Sequence, residues 1–400
     1  MVSQVTRPLV CISNAAWNAA LPTNRQQLPL RLAAYTQVLY VSPFSLGRVL
    51  LGRDSLRNFN PRLRQVRPNF HVADSLQLLT MARGQIWPFK QMDETLRLRM
   101  IRSAMSQLGM ARPVLWLYFP PDFSHLKGHL GESLVVYHCT DDYVGYAEKL
   151  GWDVARIQRE EQELIRRADV VLVTSRPLYN KHAGLNPGGV YLMPNVADVA
   201  LFNQVVNGKV APAPELAGFN HPVAGFVGSL DSYKVDFPLV AGLAHRLPDW
   251  SFVFVGPVGK EDGTTPSDLP QAGNIHYLGS RPHADLPSFV AGFDVCMIPY
   301  QINSYTQGVF PLKVWEYLAA GKPVVSTPLP ALSEYTEWIS LAGQVEPFAQ
   351  ALLAANTSAD GSSNAERIRA RVQEASQHSW EKRAAEVMDL LAQFGGIHSV

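Results

Sequence analysis

Gly308-Val-Phe-Pro311-Leu-Lys313-Val-Trp-Glu316-Tyr-Leu-Ala-Ala-Gly321-Lys-Pro323-Val-Val-Ser-Thr-Pro-Leu-Pro330 spells a loop, a short helix and a buried strand in succession. Pro311 suits the first helical position, where its missing N–H costs nothing. Gly321 suits the residue after the last turn and Pro323 forbids continuation, so a helix is predicted from about Pro311 to Ala320. The apolar run Asp294 to Pro299 precedes it and reads as a strand. The helix N-terminus is therefore expected at the carboxyl edge of a sheet, where open α/β sheets bind ligands. Backbone N–H groups at Phe310, Leu312 and Lys313, the positive end of the helix dipole and the Lys313 ammonium all favour a diphosphate there. Glu316, one turn further in, carries two acceptor oxygens suited to a ribose diol. Phosphate donors and a carboxylate at this spacing read as a nucleotide site; the plain alternative is a surface helix with Glu316 solvated.

The stretch resembles the donor-sugar signature of retaining GT-B glycosyltransferases, in which a Glu-x7-Glu pair frames the helix and the second Glu holds the ribose. Glu316 matches the second glutamate, and Gly308 stands where the first would be. The wording Pro311-Leu312-Lys313 and Glu316-Tyr317-Leu318 is similar to the branch that builds bacterial surface polysaccharides, including teichuronic-acid-type enzymes. The resemblance implies two Rossmann-like domains facing a cleft, with a C-terminal helix crossing back to the first.

Composition agrees with a large folded enzyme. Four hundred residues suggest two or three domains, and 47% apolar with 17% charged residues is enough for ordinary cores. No run approaches the roughly 18 apolar residues of a membrane-spanning helix. The start, Met-Val-Ser-Gln-Val-Thr-Arg, lacks the pattern of a secretory signal, so a cytoplasmic protein is expected. Cys11, Cys139 and Cys296 sit singly in apolar runs; buried thiols are expected rather than a disulfide frame or zinc site.

The net charge of +1 hides an asymmetry. Before residue 116 there are fifteen Arg and Lys against four Asp and Glu, a net +11, and the remainder carries −10. Arg48, Arg53 and Arg57 are interleaved with Phe44, Leu46, Val49, Leu50, Leu51, Leu56 and Phe59. This suits an anionic membrane surface carrying a lipid diphosphate acceptor, or equally a solvated helical face. No nucleic-acid-binding fingerprint accompanies the charge.

Short apolar runs alternate with helical stretches in two series. The first is Leu9–Ile12, Val38–Val41, Val114–Tyr118, Leu134–Tyr137, Val170–Val173 and Val190–Met193; the second is Val223–Val227, Ser251–Val255, Ile275–Leu278, Asp294–Ile298 and Pro323–Ser326. Alternation of this kind predicts α/β halves with mainly parallel sheets. Asn207 to Pro222 reads as a linker. The last helix, about Glu381 to Phe394, puts Val387, Leu391 and Phe394 on one stripe. The expected organisation is an acceptor-binding domain at 1–200, a nucleotide-sugar-binding domain at 201–378 and a crossover helix at 379–400.

Other pieces of the resemblance fall at strand ends. Gly228 and Ser229 close the first strand of the second domain, and Lys234 occupies the position of the family's diphosphate-binding lysine. Ser229 replaces the arginine usual there. Tyr277 to His283 matches the nucleobase loop, where backbone near Arg281 and Pro282 would read the base edge. In the first domain the strand ending at Tyr137 runs into His138-Cys139-Thr140-Asp141-Asp142. Asp141 and Asp142 are candidate proton acceptors for an incoming hydroxyl, or caps of the following helix. Consecutive Asp residues project apart, so no metal ligands are expected. His125 and His129 are read as satisfied or solvated.

The resulting expectation is a metal-independent glycosyltransferase without a resident cofactor. Lys234 and Lys313 would carry the leaving diphosphate of a nucleoside diphosphate sugar, UDP- or GDP-linked. The acceptor would be a saccharide or lipid-linked saccharide, with no nucleic acid partner. A sugar-nucleotide epimerase of the same architecture and a non-catalytic nucleotide-binding subunit are the alternatives.

Overall fold

The structure, a computed structural model, describes residues 7–19, 22–46, 49, 55–56, 60, 62–77, 89–259, 263–357 and 364–395. Arg48, Arg53 and Arg57 lie outside the described residues. The chain forms two compact units, Met1–Pro194 with Glu381–Val400, and Asn195–Trp380. No helix among the described residues is long and apolar enough to cross a membrane.

The first unit is built on an eight-stranded sheet. Its strands are β1 (Leu9–Ile12), β2 (Val38–Ser45), β3 (Arg64–Arg67), β4 (Phe70–Gln77), β5 (Val114–Leu117), β6 (Leu134–Cys139), β7 (Val170–Val173) and β8 (Val190–Leu192), in the order β3-β4-β2-β1-β5-β6-β7-β8. All neighbours are parallel except β3 and β4. Strands such as Leu-Val-Cys-Ile of β1 are apolar at every position because helices cover both faces, and all four residues are buried. Helices include α1 (Asn24–Leu32), α2 (Phe89–Gln107), α3 (Tyr143–Leu150), α4 (Val154–Arg167) and α5 (Arg176–His182).

Local chemistry sets several of these boundaries. Thr23 opens α1 with a capping box: Gln26 Oε1 accepts from the Thr23 backbone N–H at 2.9 Å. In α4, Arg156–Glu160 and Arg167–Glu163 pair at i,i+4, while Ile157, Leu164 and Ile165 face inward. Fully burying each such side chain is worth about 1.5–3 kcal/mol. Glu161 shares that buried face, a charged exception among apolar neighbours.

Neither strand of the β3–β4 hairpin was expected from sequence; Arg64-Gln-Val-Arg67 of β3 has no apolar alternation, although β4 has apolar residues at Phe70, Val72 and Leu76. Strand β3 pairs at the sheet edge, where Arg64 Nη2 bonds Asp74 Oδ1 at 2.8 Å.

The second unit has a six-stranded, all-parallel sheet: β9 (Val223–Val227), β10 (Ser251–Val255), β11 (Ile275–Tyr277), β12 (Val295–Ile298), β13 (Val324–Ser326) and β14 (Ser340–Leu341). Their order is β11-β10-β9-β12-β13-β14. This is the doubly wound arrangement, whose direction of winding reverses between β9 and β12. Helices α6 (Phe237–Arg246), α7 (Lys313–Ala319), α8 (Val345–Thr357) and α9 (Asn364–Gln377) belong to it. The stretch Asn207–Pro222 packs inside this unit rather than linking two bodies: Ala213 and Leu216 are buried, and the Ala213 N–H bonds the Ser288 carbonyl at 2.9 Å.

The last helix, α10 (Trp380–Gly395), is grouped from Glu381 onward with the first unit. Val387 and Leu391 are buried, Phe394 meets the Tyr191 ring edge-on at 6.1 Å, and Glu381 bonds Arg31 at 3.2 Å.

Candidate functional site

The switch point of the second sheet is furnished by the loop after β9, the loop after β12 and the start of α7. The helix opens with a tight turn in which Val314 N–H bonds Pro311 O at 3.3 Å and Trp315 N–H bonds Leu312 O at 3.0 Å. Regular α-helix therefore starts at Lys313, two residues later than Pro311 led us to expect, although Pro311 begins the turn. At the other end Gly321 adopts φ +73°, with Gly321 N–H bonded to Leu318 O and Lys322 N–H to Tyr317 O. These two bonds form a Schellman cap. Tyr317 ties the helix to the sheet, its hydroxyl accepting from Val227 N–H at 2.9 Å. Asn195 ties the helix start: its Nδ2 donates to Phe310 O at 2.9 Å, and its carbonyl accepts from Trp315 Nε1 at 3.0 Å.

Three of the residues singled out from sequence come together here. Lys313 Nζ donates to the Tyr300 hydroxyl at 2.8 Å and lies 5.2 Å from the centres of the Phe226 and Tyr300 rings. Lys234 Nζ lies 5.8 Å from the same Tyr300 ring. Both ammonium groups are within cation–π range. Gly228 has φ +152°, and a Cβ there would stand 3.2 Å from Lys313 Nζ. A Cβ on Gly256 would fall 1.9 Å from the Gly228 carbonyl oxygen, so glycine at 256 lets the two strand-end loops touch.

The loop carrying Lys234 is clamped from the side of β12. Gln301 Nε2 donates to Ser232 O at 2.8 Å, Asn303 Nδ2 to Tyr233 O at 2.7 Å, and Val235 bridges Tyr300. Tyr300 itself is buried. Burial raises its pKa, but Lys313 and Lys234 outweigh that and hold it below the ordinary tyrosine value. Among the described residues, no carboxylate lies within ion-pair distance of Lys313. The Ser229 hydroxyl is buried without a hydrogen-bond partner among the described residues.

Glu316 lies one turn along α7 from Lys313, and its Oε1 is 3.8 Å from His283 Nε2. His283 in turn meets the Phe202 ring edge-on at 6.1 Å. Arg281 sits apart from the lysine pair in its contacts: its guanidinium stacks 5.5 Å from the Phe289 ring and lies 3.5 Å from Glu215, and Pro282 precedes the short helical turn His283–Asp285. Tyr300 was missed by sequence reasoning, and His283 was read only as the end of the nucleobase loop, not as a neighbour of Glu316. Tyr300 follows β12 by two residues at the expected ligand edge, a positional signal that was available.

In the first unit, Asp141 and Asp142 take separate partners. Asp141 Oδ2 accepts from Arg25 Nη2 at 2.5 Å and from Thr140 Oγ1 at 3.1 Å. Asp142 caps α3 by accepting from Gly145 N–H at 3.0 Å, and its Oδ1 also accepts from Lys181 Nζ at 2.7 Å. The capping alternative is thus realised for Asp142. Beside them His138 is wholly enclosed by Trp116 and Tyr118, and burial, with Arg383 and Arg25 adding to it, lowers its pKa to about 3.

Comparison with known proteins bears on both units. Residues 221–357 match the profile of the family described as Glycosyl transferases group 1. A Bacillus subtilis (strain 168) protein described as a teichuronic acid biosynthesis glycosyltransferase, TuaH, is 30% identical over 231 residues; the match covers 56% of this chain and 57% of that protein's length. Among solved structures, sucrose-phosphate synthase from Thermosynechococcus elongatus superposes with a TM-score of 0.71 at 16% identity, covering 98% of this chain and 99% of that one. Anabaena HepE, solved in complex with UDP and glucose, gives 0.65 at 16% identity, covering 97% and 99%. An Escherichia coli trehalose-6-phosphate protein bound with UDP-2-fluoro glucose gives 0.69 at 12% identity, covering 96% and 99%. Residues 221–357 are thus similar to the Glycosyl transferases group 1 family, and the fold of the chain matches that of GT-B glycosyltransferase structures.

Proposed function

We propose that this chain is a glycosyltransferase that moves a sugar from a nucleoside diphosphate donor to a saccharide or lipid-linked saccharide. The observation that carries the reading is the convergence of Lys313 and Lys234 on Tyr300 beside Gly228, at the switch point of the second sheet. As the glycosidic bond breaks, negative charge builds on the leaving diphosphate. The Lys313 ammonium, held by a phenol and ring faces, and the Lys234 ammonium near the same ring stabilise it without moving, and charge stabilisation by groups already in place is commonly what accelerates an enzymatic reaction most. The Ser229 hydroxyl and the N–H groups at Phe310, Leu312 and Lys313 add donors, and Glu316, braced by His283, takes the ribose diol.

Uracil is the base we favour, because the HepE and Escherichia coli neighbours were solved with UDP or a UDP-sugar. We assign no divalent cation to the transfer step, since the lysines supply the positive charge. The resemblance of the 308–330 stretch supports retention at the anomeric carbon, and the TuaH relative supports a role in surface polysaccharide synthesis. Asp141 and Asp142 are proposed to present polar surface to the acceptor, and the arginine-rich region before residue 116 to contact an anionic membrane.

The test is acceptor-dependent release of UDP, GDP or ADP from the matching nucleotide sugars, run with and without EDTA. Transfer that persists in EDTA supports the reading. A change in the donor sugar with no acceptor consumed would indicate an epimerase instead, and binding without turnover a nucleotide-binding subunit.

A further inference from the structure

Outside the lysine site, the first unit buries a set of groups that the proposed reaction does not use. Cys139 ends β6, Glu161 lies midway along α4 on its inward face, and His182 ends α5. All three are almost wholly buried, with exposures of 0%, 2% and 2%. Cys139 Sγ is 3.8 Å from Glu161 Oε1 and 3.9 Å from His182 Nε2, and the last two atoms are 4.0 Å apart. We infer that Cys139, Glu161 and His182 form a buried structural metal site, with zinc as the ion.

The geometry points to a metal more than to a hydrogen-bonded cluster. A carboxylate oxygen and an imidazole nitrogen 4.0 Å apart are beyond hydrogen-bond range. A triangle with these nearly equal sides has its centre about 2.3 Å from each corner, against zinc distances of about 2.3 Å to sulfur and about 2.0–2.2 Å to nitrogen and oxygen. A water at that centre would be closer than any normal hydrogen bond. Sulfur, imidazole and carboxylate together form a donor set of borderline softness, which suits zinc.

Charge and the contact to Glu161 agree, while the Cys139 Sγ also lies 3.3 Å from the Asp141 carbonyl oxygen. Among the described residues Glu161 is paired with no arginine or lysine, and Lys181 next to His182 is turned to Asp142. A buried carboxylate beside a thiolate is costly, whereas a dication with both anions and a neutral imidazole sums to zero. The Tyr137 hydroxyl donates to Glu161 Oε1 at 2.8 Å, the kind of outer contact that orients a carboxylate ligand. Ligation at Nε2 would place the ring proton on His182 Nδ1, which is buried without a partner among the described residues. Such a site would pin β6, α4 and α5 together immediately before Asp141 and Asp142. The ligands are 22 and 21 residues apart, which is why no local motif announces them and why the sequence led us to expect plain buried thiols.

A closed site loads as the chain folds, so the test begins in the cell. The full chain is expressed in minimal medium supplemented with Zn²⁺ or Co²⁺, and metal is counted by mass spectrometry after gel filtration. About one metal per chain is expected. The cobalt form should show tetrahedral ligand-field bands and a thiolate-to-cobalt charge-transfer band, which Cys139→Ser removes. Should that variant fail to fold, X-ray absorption on the wild-type zinc form decides, with one sulfur neighbour at about 2.3 Å and the rest nitrogen or oxygen. Less than a tenth of a metal per chain in both media, or a bound metal without a sulfur neighbour, overturns the inference.

Discussion

The strand ends of the two sheets carry opposite kinds of electrostatics. In the first unit Asp141 lies against Arg25, and Asp142 against Lys181 and the start of α3, so the charges there are already matched. In the second unit Lys313 is held by neutral partners, the Tyr300 phenol and two ring faces. A cation fixed by neutral groups keeps its charge for an incoming anion, whereas a carboxylate in an ion pair has already used it. The difference is the physical ground on which we propose the second unit as the place for the diphosphate.

Removing the charge at Lys313 should break this contrast most severely. Lys313→Ala should lower turnover by about 10²–10³-fold, the loss typical of removing one donor to transition-state charge. Circular dichroism should stay unchanged. An equal loss from Lys181→Ala, assayed alongside, would erase the contrast between the units.

Acid should separate the units as well. His138 and His125 in the first unit are buried and held near pKa 3, with burial the main cause in both. Their unfolded value is about 6.5. Between about pH 6.5 and 3 the unfolded state binds protons that the native state refuses, so stability is full above that window and falls as pH drops into it, by up to about 1.4 kcal/mol per unit per histidine. The urea midpoint should therefore be lower at pH 5 than at pH 7, and His138→Phe should flatten the slope. A slope unaltered by that change would remove His138 as its source.

Smaller effects are expected within the second unit. Glu316→Ala should weaken donor binding by about 1.5–3 kcal/mol, about ten- to a hundredfold, through loss of charge-assisted hydrogen bonds to the ribose. A 2′,3′-dideoxy nucleotide should bind both forms alike. Tyr300→Phe removes one hydrogen bond to Lys313 and should cost about 0.5–1.5 kcal/mol, seen as a several-fold fall in turnover. No change in kcat would mean that the ring faces alone hold the lysine.

What could be read from the sequence depended on how local the cause was. Helix α7 was legible because Pro311, Gly321 and Pro323 act on their own neighbours, and the inner strands were legible because burial on both faces makes them continuous apolar runs. The bond from Arg25 to Asp141 spans 116 residues, and the pairing of Lys313 with Tyr300 depends on a loop after another strand. No spacing rule encodes either. Strand β3 failed for a further reason: an edge strand faces water, so its sequence need not carry an apolar stripe, whereas the buried β4 beside it was simply not picked out. Lys313 and Glu316 were singled out from the chemistry of a helix start, whereas Lys234 and Gly228 were singled out because a resemblance supplied positions that distance in the chain conceals.

Whether the second unit holds a diphosphate on Lys313 and Lys234 can be read from calorimetric titration of UDP and of uridine into the wild type and Lys313→Ala. UDP should bind the wild type far more tightly than uridine does. Lys313→Ala should narrow this gap by about tenfold or more while uridine binding is unchanged, as expected for losing a charged hydrogen-bond partner of the phosphates. The same UDP affinity in the variant, or no binding of UDP, GDP or ADP to the wild type, would contradict a diphosphate site at these lysines.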